Sequence, residues 1–171
     1  MALPSILVTT EFLDFGALIR ETECLARLCL RFYSVRVPSN HLFCEMHLTS
    51  SDDFSLKHVW GVYAYDVARF VAELDALHVS LGGVAELRGT FDAAPRVIVA
   101  AHSSERGRLC VSGETLLGPG PPQVGTAHGE ATLGVRVDFS GFSLDQSYIP
   151  NWMDSIRALF REALIDESPY F

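Results

Sequence analysis

Lysine is almost missing from this sequence: Lys57 stands alone against twelve arginines. A GC-rich genome produces the same skew, so by itself it does not argue for bidentate recognition by arginine. Long apolar runs are missing as well, since a charge interrupts each one well before the length that crosses a bilayer. The first residues, Met1-Ala2-Leu3-Pro4-Ser5-Ile6-Leu7-Val8, lack the basic stretch of a secretory leader. The expectation is a cytoplasmic chain without a membrane segment. Cysteine is scarce, and Cys24, Cys29, Cys44 and Cys110 have no close pair spacing, which predicts reduced, mostly buried thiols rather than disulfide staples. Gly118, Gly120 and Gly125 fall in a segment with no Gly-Lys-Ser or Gly-Lys-Thr ending, and its prolines remove the backbone donors that would hold phosphate. Positive charge is in deficit: the net charge is −8 and the pI about 5.1. That balance repels a phosphate backbone, so nucleic acid is not an expected partner, whereas a basic protein is.

What remains is globular. The chain has 171 residues, 49% hydrophobic and 20% charged, with a mean hydropathy of +0.21, which is too apolar for disorder and about the size of one domain. Residues 1–171 are read as a single α+β domain. Residues 25–37 and 41–48 carry strand character on either side of a Pro38-Ser39-Asn40 turn, and so form a hairpin. In the second run Leu42, Cys44, Met46 and Leu48 share one face, opposite His41, Phe43, Glu45 and His47. Val67, Phe70, Val71, Leu74, Leu77 and Leu81 recur at helical spacing, predicting a helix over 64–81 that Gly82-Gly83 stops in a left-handed turn. Asp66, Arg69 and Glu73 fall on its outer side. Strand-like runs follow at 84–89, 96–101, 108–116 and 131–139, with a glycine- and proline-rich loop over 118–129. A final helix opens near Asp145 to Tyr148, runs to about Ile165, and covers part of that sheet with Ile149, Trp152, Ile156, Leu159, Phe160 and Leu164; Pro150 falls in its first turn. The predicted architecture is an antiparallel sheet of about six strands packed by two main helices. The role of the first twenty-five residues is left undecided.

Candidate chemistry is thin. His41, Glu45 and His47 are legitimate metal ligands on one strand face, but their spacing fits no metal motif, and a polar strand face accounts for them. His102-Ser103-Ser104-Glu105 reads as a hairpin turn rather than a triad, and Cys110 as a buried thiol. Asp145-Gln146-Ser147-Tyr148 reads first as a helix cap. Trp60 and Trp152 read as core anchors. No catalytic residue, metal or cofactor is expected. Asp52 and Asp53, the tail acids Glu162, Asp166 and Glu167, and the Asp145 and Tyr148 pair are the residues through which a partner could be bound, against the plainer reading of solvated surface charge.

Trp60, Phe70-Val71-Ala72-Glu73-Leu74, Gly83-Val84-Ala85-Glu86-Leu87, Gly107-Arg108-Leu109-Cys110-Val111-Ser112-Gly113, Val137-Asp138-Phe139 and Asp145-Gln146-Ser147-Tyr148-Ile149 follow one another in an informative order. Over about residues 60–164 that series resembles small bacterial proteins related to immunity proteins of Wap-type polymorphic toxin systems. The resemblance implies a cytoplasmic binding protein that neutralises a toxin domain without chemistry of its own, and the acidic balance makes a basic toxin the expected partner. Two other readings compete with it. A small-molecule binder or enzyme of unfamiliar type would need a deep pocket with convergent polar groups. A self-associating subunit, a homodimer for example, would need an apolar patch or an unpaired strand edge.

Overall fold

The computed structural model describes residues 8–9, 13–18, 25–38, 40–50, 53–90, 95–117 and 135–166. Its first sheet contains β1 (Val8–Thr9), β2 (Leu13–Leu18), β3 (Leu25–Ser34), β4 (His41–Thr49) and β5 (Ser55–Tyr63). β3, β4 and β5 form an antiparallel meander, and β1 and β2 both pair with β3 along its other side. The hairpin expected on either side of residues 38–40 is therefore present as β3 and β4. Leu28, Leu30 and Phe32 are buried on one face of β3, and Leu42, Cys44, Met46 and Leu48 continue that face on β4. A polar residue also turns inward on β3, where the Ser34 hydroxyl donates to the Arg36 carbonyl at 2.7 Å.

β5 leads straight into α1 (Ala64–Ser80), and the Ala64 N–H donates back to the Asn40 carbonyl at 2.9 Å. The buried stripe of α1 is Val67, Phe70, Val71, Leu74 and Leu77, as the helical spacing predicts. Arg69 pairs with Asp66 at 3.1 Å and with Glu73 at 3.8 Å, but Asp66, expected on the outer side, is buried, its carboxylate covered by the Arg69 guanidinium. The stop differs from expectation: Leu81 itself takes the left-handed conformation, with φ 56, while its N–H donates to the Leu77 carbonyl. Gly83, with φ 106, follows and completes the reversal. A leucine in that region costs roughly 1 kcal/mol. The bond to Leu77 and the Ser80 hydroxyl, which donates to the Ala76 carbonyl at 2.7 Å, help hold it there.

The second sheet is a four-stranded meander of β6 (Val84–Arg88), β7 (Arg96–Ala101), β8 (Arg108–Leu117) and β9 (Val135–Asp145). β9 ends six residues beyond its expected limit at Phe139 because its alternation changes phase in mid-strand. In the pairing with β8, Gly113 faces Phe139 and Val111 faces Phe142, so β9 carries one extra residue at a bulge where Gly141 has φ 82. A bulge of this kind moves the buried face from odd to even positions. Phe139 before it and Phe142 and Leu144 after it all point into the core. Residues 131–134 and the glycine- and proline-rich loop lie outside the described residues.

A turn of tighter helix at Gln146–Tyr148 leads into α2 (Ile149–Glu162), with Pro150 in its first turn. Ile149, Trp152, Ile156, Leu159 and Phe160 are buried as the periodicity requires, and Met153 joins them. Leu164 does not: it lies past the helix end with φ 53 and is exposed, and Ala163 and Ile165 take the inward positions instead. α1 packs chiefly along β6 and against α2, whereas α2 packs against α1, β1 and β3. The cover expected for the second sheet from the final helix thus goes chiefly to the first, and each helix crosses to the sheet it does not follow. β2 lies beside β9 where the sheets meet. One connected core takes residues from both sheets and both helices. The α+β class, antiparallel pairing and two main helices match expectation. The strands, nine among the described residues, divide between two sheets instead of forming one of about six.

Three changes test this packing. A Cβ at Gly113 would run into the Arg96 carbonyl and the Phe139 ring, whereas one at Gly82 meets only the Ser80 carbonyl at 4.0 Å. Urea denaturation of Gly113→Ala is expected to show a loss of about 2–3 kcal/mol from overpacking, and Gly82→Ala a change within about 0.5 kcal/mol. Phe70, wholly buried at the centre of α1, should lose about 3–5 kcal/mol when cut to alanine.

Candidate functional site

The two sheets differ in what they show to solvent. On the second sheet the outward residues are largely ion-paired: Glu86 binds Arg88 at 2.7 Å and also Arg96, while Arg136 binds Asp138 at 3.0 Å and also Glu114. Such a ladder of paired charges is a solvated face that satisfies itself.

The outer face of the first sheet is aromatic. Register places Tyr33 of β3 opposite Phe43 of β4, and His41 of β4 opposite Tyr63 of β5. The rings stand side by side. Tyr33 stacks on Phe43 at 5.5 Å, Phe43 on His41 at 5.5 Å, His41 meets Tyr63 at 5.3 Å, and Tyr63 stacks on Tyr65 at 5.3 Å. The Arg31 guanidinium lies 5.7 Å from the Tyr33 centroid and closes one end of the row. Gly61 is what lets the row run continuously, because a Cβ there would collide with the His41 imidazole. Tyr63 and Tyr65 remain 39% and 53% exposed. Val59, on the same face, is exposed too.

Among the described side chains of β3, β4 and β5, one carboxylate sits within this face. Glu45 is buried although it points outward, and its two oxygens meet Lys57 at 2.9 Å and His47 at 3.2 Å. Burying a carboxylate without such partners would cost several kcal/mol. Lys57 is consequently neutralised where it stands. His41, Glu45 and His47 share the face but not a common point: His41 belongs to the ring row and His47 to the carboxylate. Among the described residues no group of three or more histidine, cysteine or acidic side chains is placed to hold a metal ion.

The residues singled out from sequence are scattered. Asp52 lies outside the described residues, as do Cys24 and Glu167, and Asp53 is exposed in the β4–β5 turn with φ 59. Asp145 caps the turn before α2, accepting the Ser147 N–H at 2.8 Å, and this bond holds its carboxyl below the usual range. Tyr148 is exposed and stacks on Trp152 at 6.5 Å. Glu162 and Asp166 are exposed near the end of α2. The His102 segment is a turn in which the imidazole accepts the Ser104 and Glu105 N–H groups, at 3.3 and 3.1 Å. Trp60 and Trp152 are core residues. Cys44 is buried, and its thiol is pushed well up by desolvation and then by Glu45; Cys29 and Cys110 are half-buried. No disulfide links these three, and the Cys110 thiol is also pushed up, by desolvation first and then by Glu105. Sequence reading missed Tyr33, Tyr63 and Tyr65 altogether. The available signal was the hairpin itself, since fixing its turn at residues 38–40 sets Tyr33 against Phe43.

One polar contact ties the two sheets together inside: the His58 imidazole on β5 is hydrogen-bonded through Nδ1 to the Thr115 hydroxyl on β8. Desolvation lowers its pKa from the ordinary 6.5, so the unfolded chain holds the proton more tightly than the folded one. The contribution of neutral His58 is then fully present above about pH 6.5 and is lost as pH falls through the lower folded-state value. Urea midpoints taken from pH 7 to pH 5 should fall more steeply for the unaltered chain than for His58→Gln.

Compared with known protein families, curated protein sequences and solved structures, the chain matches none.

Proposed function

We propose that this chain is a non-enzymatic protein-binding domain and that the outer face of its first sheet is the surface that meets the partner. The observation carrying this reading is the continuous row of rings from Tyr33 to Tyr65, part of it exposed, on a sheet face that ordinary solvation would fill with polar side chains. Aromatic side chains bring large contact area with few rotamers to lose, which is why they dominate the energetic centres of interfaces. The other sheet makes the contrast, because its outer charges are already answered within the chain.

The partner proposed is a basic protein. The net charge of −8 speeds encounter with a cationic surface and repels phosphate. Binding and neutralising a basic toxin domain in the cytoplasm, the role implied by the resemblance to immunity proteins, needs only such a surface.

Val59→Arg tests the surface without disturbing the core, since Val59 lies on the outer face opposite Glu45 and an exposed substitution of this kind changes stability by about 0.5 kcal/mol or less. Tagged protein is captured from the cells that make it at about 0.15 M salt. An equimolar basic protein should be retained by the unaltered chain and retained at least tenfold less by Val59→Arg, while the thermal midpoints stay alike. Equal retention by both forms would falsify the assignment of the surface. Retention of single-stranded RNA, or of nothing but further copies of the chain, would overturn the basic-protein reading.

A further inference from the structure

The row of rings has two ends of unlike character. At one end the Arg31 guanidinium lies over Tyr33, 5.7 Å from its centroid. At the other the row stops at Tyr65, which is 53% exposed and has Tyr63 stacked on one side at 5.3 Å and 13°. Tyr65 is the second residue of α1, and Asp66, Arg69 and Glu73 follow on the same helix. The Asp66 carboxylate lies next to the terminal ring, buried and paired with Arg69 at 3.1 Å. The Tyr65 phenol is pushed above its ordinary value, by desolvation first and by the Asp66 charge next.

We infer that the Tyr65 end of the row receives an arginine side chain of the partner, laid flat against the terminal ring as Arg31 is laid over the first one. This deepens the proposed binding role and rests on it. A guanidinium suits the position better than an ammonium for two reasons. It is planar, so it continues a stack, and it is weakly hydrated, so it gives up water at low cost. Its charge meets the ring's negative face, and the chain's net charge of −8 draws it in. The partner class is thereby narrowed from a basic protein to one that presents arginine at the contact.

The probes are two peptides of equal length and charge, hexa-arginine and hexa-lysine, titrated by calorimetry into the full chain at about 0.15 M salt. Net charge attracts both alike, so the readout is the ratio of their affinities. The arginine peptide is expected to bind about two- to fivefold more tightly, the range of an exposed cation–π contact. Tyr65→Phe should keep that ratio, Tyr65→Ala should bring it to one, and Tyr148→Ala, which changes an exposed ring elsewhere, should leave it unaltered. Equal affinities in the unaltered chain, or a preference that survives Tyr65→Ala, would overturn the inference. The two proposals fail separately. If Val59→Arg abolishes partner capture while the peptides bind equally, the sheet face stands and the arginine contact falls; if capture is indifferent to Val59→Arg, the face itself is wrong.

Discussion

Every larger feature of this molecule depends on the burial of one stripe of α1. The helix begins at the residue after β5 and ends three residues before β6, so its placement fixes where the first sheet stops and where the second starts. Val67, Phe70, Val71, Leu74 and Leu77 have to be covered, and neither sheet alone covers them: α1 lies along β6 and against α2, while α2 reaches back to β1 and β3. Each sheet is thus roofed by elements of the other half of the chain. With the inner faces spent on a common core, only the outer faces are free to differ, and they do. One is a ladder of ion pairs, the other a row of rings.

Much of this was legible in the sequence, for reasons that can be named. The helices carried uninterrupted apolar stripes, and the β3–β4 hairpin had a turn signal between two runs of the right period. Legibility ended where the period was broken by something non-local. β5 has Leu56, Trp60 and Val62 on its inner face, but Val59 and Tyr63 lie outside and His58 inside, so no binary alternation marks it. β9 alternates cleanly to Phe139 and then changes phase at the Gly141 bulge, which makes one strand look like a strand and a stray segment. The stop of α1 misled differently: two glycines suggested a left-handed stop, and the chain turned at Leu81 instead.

The candidate surface was hidden for a related reason. Its rings come from three strands and the start of a helix, and they become neighbours only through register. Sequence reading placed His41 and Phe43 on a mixed face correctly, but had no way to see that Tyr33 and Tyr63 continue the row on either side. Charge was read more easily as a total than as a pattern: the acidic balance was plain, while the closure of Glu45 by Lys57 and His47 depends on strand pairing.

One small contact at the opposite rim has a wider consequence. The backbone N–H of Glu86, on the outermost strand of the second sheet, donates to the Glu73 carboxylate of α1 at 2.7 Å. A lone strand edge invites a foreign strand to pair with it, and the usual outcome is uncontrolled polymerisation. Here the helix that carries the core also stoppers that edge with a charge, so an invading chain would have to displace a carboxylate before forming its first backbone bond. The same helix therefore holds the halves of the molecule together and covers part of an edge at which another strand could pair.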